Sequence, residues 1–269
     1  MTADVVVEKD KAILRVTLNR PEKHNALSRS MLDSLGEIFI EHATDQALKV
    51  AVLTGAGKHS FAAGGDLTDL STLRTLAEAR EMARQAKSAL NAVRAFPVPV
   101  VVALNGNAMG GGAELATAGD FRVAAAHANI GFIQGRLNIT TAWGGGVDLM
   151  RLVGPDRALR LMCSAEMLSP AQALKIGLYD TVIPAGDLDD VVGNETQSLE
   201  MAVDEFVQPF LRQAPQVLRS FKALVVARRR GECLADLYEL ETDQFASNWI
   251  HPDHWRAADR IMEKSSSKG

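Results

Sequence analysis

The chain has 269 residues, 47% of them hydrophobic and 23% charged, with a formal net charge of −4. That composition supports a large globular core and excludes disordered or fibrous classes, and the weak negative charge leaves no electrostatic footprint for nucleic acid or an anionic membrane. Two cysteines, Cys163 and Cys233, lack CxxC spacing, give neither a disulfide framework nor a metal site, and read as buried thiols.

The N-terminus carries acids where an export signal needs a basic start, and no apolar run is long enough to cross a bilayer, so the expected location is cytoplasmic. Residues 5–9 (VVVEK) and 12–19 (AILRVTLN) are β-branched runs separated by a turn, an expected strand pair. Ser28 is the expected N-cap of a helix over 29–43, where Met31, Leu32, Leu35, Ile38 and Phe39 recur at helical spacing. A buried strand follows at 49–55, then one long helix from Ser71 to Phe96 with Leu73, Leu76, Met82, Leu90 and Val93 along its apolar side. Strands at 98–106 and from 120 flank the stretch NAMGGGAELA at 107–116. Alternating strands and helices give an α/β class with much parallel pairing. After residue 186 only helices are expected: Asp187 to Phe206, Pro215 to Arg230, Glu232 to Trp249 and Pro252 to Lys264. HPDH at 251–254 reads as a helix start with Pro252 in its first turn, in preference to a metal site.

Two glycine turns, FAAGGDL at 61–67 and NAMGGGAEL at 107–115, each join the end of a strand to the start of a helix. Helix starts offer unpaired N–H groups, and glycine lets a ligand approach the backbone. Neither turn has the spacing of a dinucleotide or phosphate-binding loop, and no GxSxG or HExxH motif occurs. Two N–H groups converging from separate loops suit an oxyanion, and each such donor is typically worth about 2.7–4 kcal/mol in the transition state. Tight helix starts without chemistry would look the same. Glu114, a carboxylate on a small, apolar stretch, tilts the balance towards chemistry.

FAAGGDL, then NGNAMGGGAELATAGDFRVA, then ALRLMCSAEMLSPAQALKIGLYDTVI resemble the enoyl-CoA hydratase/isomerase (crotonase) superfamily over nearly the whole chain. The resemblance implies a spiral of ββα units at 1–195, holding an acyl-CoA site, and an all-helical oligomerisation region at 196–269, in a homotrimer or homohexamer. It implies an acyl-CoA substrate whose thioester oxygen is held by the N–H groups of Gly65 and Gly111, with coenzyme A as part of the substrate and no separate cofactor or metal. The backbone of Asp66, Leu67 and Thr68, with Ala63 and Gly110 in the two glycine turns, would line the substrate path. Lys23 is the candidate contact to a CoA phosphate, against the alternative of a solvated surface lysine.

Hydratases of the family use a second glutamate, and aligning the glycines of 128–146 puts Gln134 at its place. An amide neither gives nor takes a proton near neutral pH. Trp143 before its glycines, and the tail FASNWIHPDHWRAADRIMEK, most resemble the ethylmalonyl-CoA decarboxylase branch, where CO₂ loss forms the enolate without a base. The expected activity is therefore decarboxylation of a 2-carboxyacyl-CoA, with Glu114 orienting the leaving carboxylate through water or protonating the enolate, and Gln134 bonding to the carboxylate or a water. Trp143 is expected as a pocket wall or packing residue in preference to a chemical participant, and Arg136 as an exposed side chain in preference to a partner for a substrate acid. The alternatives are an enoyl-CoA hydratase or isomerase using Glu114 alone, and a non-catalytic CoA-binding protein.

Overall fold

A computed structural model describes residues 3–183 and 195–266. Strands β1 (Val5–Asp10) and β2 (Ile13–Leu18) pair antiparallel as expected, β-branched runs on either side of a tight turn, with Leu14, Val16 and Leu18 of β2 in the core. Helix α1 (Arg29–His42) starts where Ser28 accepts the Met31 N–H, and it buries Met31, Leu32, Leu35 and Phe39.

From there the chain repeats one step three times: a strand in a large sheet, a strand in a small sheet, then helix. The pairs are β3 (Val50–Gly55) with β4 (Ser60–Ala62), β5 (Val100–Leu104) with β6 (Asn107–Met109), and β7 (Phe121–Ala124) with β8 (Ile130–Gly131). The large sheet runs β1-β2-β3-β5-β7-β9, with β9 at Thr181–Val182, and is parallel from β2 onward; the small sheet runs β4-β6-β8, also parallel. Each step therefore advances both sheets by one strand, which is the expected spiral of ββα units.

The single helix expected over 71–96 is instead two. Short α2 (Leu67–Leu70) is capped by Asp66, and α3 (Leu76–Arg94) begins at a reciprocal capping box between Thr75 and Glu78, so Leu76 is exposed rather than packed. Helix α4 (Gly111–Ala118) follows the glycine stretch, and α5 (Gly145–Val153), α6 (Pro155–Ser164) and α7 (Pro170–Lys175) complete the body. These last three had no expected counterpart. Both cysteines are exposed, contrary to the expectation of burial: α6 turns Ala158 and Leu161 inward and leaves Cys163 outside, while Cys233 precedes a helix and donates to Asp236.

Among the described residues four further helices follow: α8 (Glu195–Leu211), α9 (Pro215–Arg230), α10 (Leu234–Trp249) and α11 (Pro252–Ser266). Of the helix expected over 187–206, residues 187–194 lie outside the described residues. Two apolar cores result. One lies between the sheets and α1, α3, α4 and α5. The other forms where Leu199, Val203 and Val207 of α8 cover Ile13, Val50, Val52, Val101 and Val123 on the far face of the large sheet. Complete burial of one such aliphatic side chain is worth about 1.5–3 kcal/mol. Helix α9 is tied to the root of β5 by charge: Lys222, 4% exposed, and Arg229 both pair with Asp120, whose carboxylate also accepts the Val100 N–H. Among the described residues no helix is long and apolar enough to cross a membrane, and no cluster of three metal-ligating side chains occurs.

Candidate active site

The stepwise spiral brings the two glycine turns side by side, since β4 and β6 are neighbours in the small sheet. A Cβ on Gly64 would lie 3.1 Å from the Met109 carbonyl and 3.5 Å from the Gly111 nitrogen. Gly65 and Gly111 share a further neighbour. A Cβ on Gly65 would stand 3.5 Å from the Trp143 indole, and one on Gly111 would overlap that ring outright. Neither the Gly65 nor the Gly111 N–H has an acceptor among the described residues; Gly111 is the first residue of α4, where no intrahelical partner exists. Gly110 reaches that helix start with φ +53, a conformation open to glycine. Two free donors thus stand beside one indole ring.

Glu114 lies in the first turn of α4, 2% exposed. Its carboxylate accepts four N–H groups: Trp143 and Gly145 backbone amides at 2.9 Å each, Gln134 Nε2 at 3.0 Å, and the Ala142 amide at a longer 3.4 Å. Because Gly145 is the first residue of α5, the carboxylate also sits at the positive end of that helix. Burial nevertheless raises the Glu114 pKa above its ordinary value, against the lowering effect of the four donors. Gly145 has no side chain for a steric reason: a Cβ there would strike the Glu114 side chain.

Gln134 sits in a short 3-10 turn (Ile133–Leu137) and is itself buried. Its NH₂ is committed to Glu114, and its carbonyl oxygen has no partner among the described residues. The reverse amide orientation would set two acceptors against each other.

The other expected residues divide. Asp66 is buried and committed elsewhere: its side chain pairs with Arg20 at 2.9 Å and accepts the Thr68 N–H, while its own N–H donates to the Leu27 carbonyl. It thereby braces the turn carrying Gly65. Leu67 and Thr68 are exposed beside that turn, and Ala63 is half-buried with its N–H on the His24 carbonyl. Lys23 is exposed in the 3-10 turn Pro21–Lys23. Arg136 is exposed as expected and donates to the Ala165 carbonyl.

Sequence reading missed the loop at 142–145 as a donor set. Its signal was present, because WGGG at 143–146 is a third glycine turn opening a helix, like those at 61–67 and 107–115.

The sequence profile of the enoyl-CoA hydratase/isomerase family matches residues 8–267. The chain belongs to that family. Within this family it is 31% identical over 245 residues to the ethylmalonyl-CoA decarboxylase of Bos taurus, covering 91% of this chain and 77% of the relative. It is 29% identical over 267 residues to a short-chain-enoyl-CoA hydratase of Clostridium acetobutylicum, covering 99% and 97%. The crystal structure of an enoyl-CoA hydratase from Bacillus anthracis superposes with a TM-score of 0.87 at 27% identity, over 97% of each chain. The fold is that of the crotonases.

Proposed function

We propose that this protein acts on acyl-CoA thioesters and decarboxylates a 2-carboxyacyl-CoA of the ethylmalonyl or methylmalonyl type. The observation that carries the reading is the Gln134 to Glu114 hydrogen bond: where a two-carboxylate site would hold its second acid/base group, an amide sits as a fixed donor to the first. One proton carrier remains.

In this reading the thioester oxygen accepts the N–H groups of Gly65 and Gly111. The bond between the α-carbon and the substrate carboxylate breaks, its electron pair moves into the thioester enolate, and CO₂ leaves. No base is needed for that step, and the two amides stabilise the enolate oxygen. The raised pKa of Glu114 suits it to give a proton to the α-carbon, after which the four N–H groups hold the carboxylate that is left. A proton taken up from bulk solvent then restores the acid, so that one proton is consumed for each CO₂ released. Relatives named as ethylmalonyl-CoA decarboxylases support this choice, and those named as hydratases support the thioester chemistry common to both.

A second reading, an enoyl-CoA isomerase or hydratase with Glu114 as sole acid/base, draws on the same raised pKa. Incubation with ethylmalonyl-CoA, methylmalonyl-CoA and crotonyl-CoA, with products followed by mass, separates the readings. Loss of CO₂ from a diacid thioester is expected; turnover of crotonyl-CoA alone would favour the second, and binding without turnover of any would leave a CoA-binding protein. Assembly as a homotrimer or homohexamer is part of the proposal, supported by exposed Tyr238, Phe245, Trp249 and Ile250 on and after α10, and is read by light scattering.

A further inference from the structure

The loop that holds Glu114 is itself held from behind by one side chain. Arg94, in the last turn of α3 and 13% exposed, donates from Nη2 to the Trp143 carbonyl at 2.9 Å, from Nε to Asp148 at 2.7 Å, and from Nη1 to Asn91 at 2.8 Å. All three nitrogens of its planar fork are therefore used. Trp143 is gripped at both ends, its N–H on the Glu114 carboxylate and its carbonyl on Arg94. Gly144, next in the chain, takes φ +95, and a Cβ there would lie 2.8 Å from the guanidinium, so the backbone turns around the Arg94 head. Asp148 belongs to the first turn of α5, whose first residue supplies the Gly145 N–H. Arg151, 3.6 Å from Asp148 on its other side, is the remaining charge at this junction.

We propose that Arg94 is a positioning residue for the reaction: by clamping the Trp143 carbonyl and Asp148 it fixes the loop whose amides cradle Glu114 and whose indole stands beside Gly65 and Gly111. It touches no reacting atom. Its effect passes through one residue of backbone, and nothing in the spacing of the sequence connects it to the site. A lysine would keep the charge opposite Asp148 but cannot bond the carbonyl, the carboxylate and Asn91 in one plane. Loss of the clamp frees the loop, weakens the amide bonds to Glu114 and, because those bonds lower its pKa, moves its titration further up.

The inference rests on the thioester reading above, so the test includes a measurement that needs no turnover. Arg94→Met and Arg94→Lys are compared with the natural enzyme on whichever thioester it turns over. Expected is a fall in kcat of about 10-fold or more per folded molecule with KM changed less than about threefold, the misplaced-group pattern. The limb of the pH profile that Glu114→Gln abolishes should move to higher pH, and guanidinium ion should partly restore Arg94→Ala. Independently of substrate, the Glu114 carboxyl band, followed by infrared difference against Glu114→Gln, should titrate at higher pH in Arg94→Lys. An unshifted titration, or a loss of activity only in proportion to the unfolded fraction, would overturn the proposal. If the natural protein turns over no thioester yet the band shifts, the functional reading fails and the positioning role stands.

Discussion

Replacing Gln134 by glutamate is the sharpest perturbation the site offers, because it changes one donor into an acceptor without changing shape. Gln134 Nε2 stands 3.0 Å from Glu114 Oε1. Two ionised carboxylates at that separation repel by about 5.5 kcal/mol at an effective dielectric of ~20. The variant also loses a charge-assisted hydrogen bond worth about 1.5–3 kcal/mol. Burial already raises the Glu114 pKa against its donors, of which the Trp143, Gly145 and Ala142 amides remain in this variant, and the added repulsion raises it further, so the pair holds a shared proton and titrates as a unit. The new carboxyl has a folded-state pKa raised above its unfolded value of about 4.3, so its stabilising contribution is complete below that value and is lost as pH rises through the folded pKa. Thermal melting of Gln134→Glu over about pH 5 to 9 should therefore fall with pH relative to the natural protein, each 1 kcal/mol appearing as about 2–4 °C. In the same variant a second proton carrier returns, and hydration of crotonyl-CoA should rise by about 10-fold or more while CO₂ loss declines. A variant that melts with the unaltered pH profile and gives the same product ratio would show that the two side chains do not meet in solution.

Glu114→Gln should fold with little change in melting temperature, because a flip of Gln134 turns its unpartnered carbonyl towards the new amide; turnover should fall by about 10²–10⁴, and retained activity would remove Glu114 from the chemistry. The natural protein should also lose stability as pH rises through the raised Glu114 pKa, a slope missing from Glu114→Gln; urea titrations at a series of pH values read it. Gly111→Ala should cost about 1–3 kcal/mol by driving a methyl into the Trp143 ring, and Trp143→Ala in the same chain should recover part of that; simple additivity in denaturant melts would refute the contact. Lys222→Met should cost about 1–3 kcal/mol, because the buried Asp120 loses one of its two cations and keeps Arg229 and the Val100 N–H; unfolding curves that coincide with the natural protein would contradict it.

What could be read in advance was local. Helix α9 runs over Pro215–Arg230 as expected because proline at its start and Gly231 beyond its end mark both limits, and α1 is marked by Ser28. Glu114 stands out because a charge on an apolar stretch needs a reason, and the structure supplies one in four donors. The helices over 145–175 escape notice where glycines and prolines break the periodic pattern into pieces of six to ten residues. Exposure of Cys163 follows from which face of α6 meets the core, a tertiary fact. The Arg94 contact to Trp143 spans 49 positions and depends on α3 ending beside the start of α5. Such a pairing leaves no periodicity behind.

The second apolar core has a consequence for synthesis. The valine-rich back of the large sheet is assembled from segments ending at Val123, but the residues that cover it, Leu199, Val203 and Val207, come roughly seventy-five positions later, and Lys222 later still. A ribosome therefore exposes a nearly finished, sticky sheet with a bare acid at its root before the cover has been made. The nascent chain has to be shielded, or kept open, until α8 and α9 emerge, and a stalled or prematurely released product would aggregate through that uncovered face.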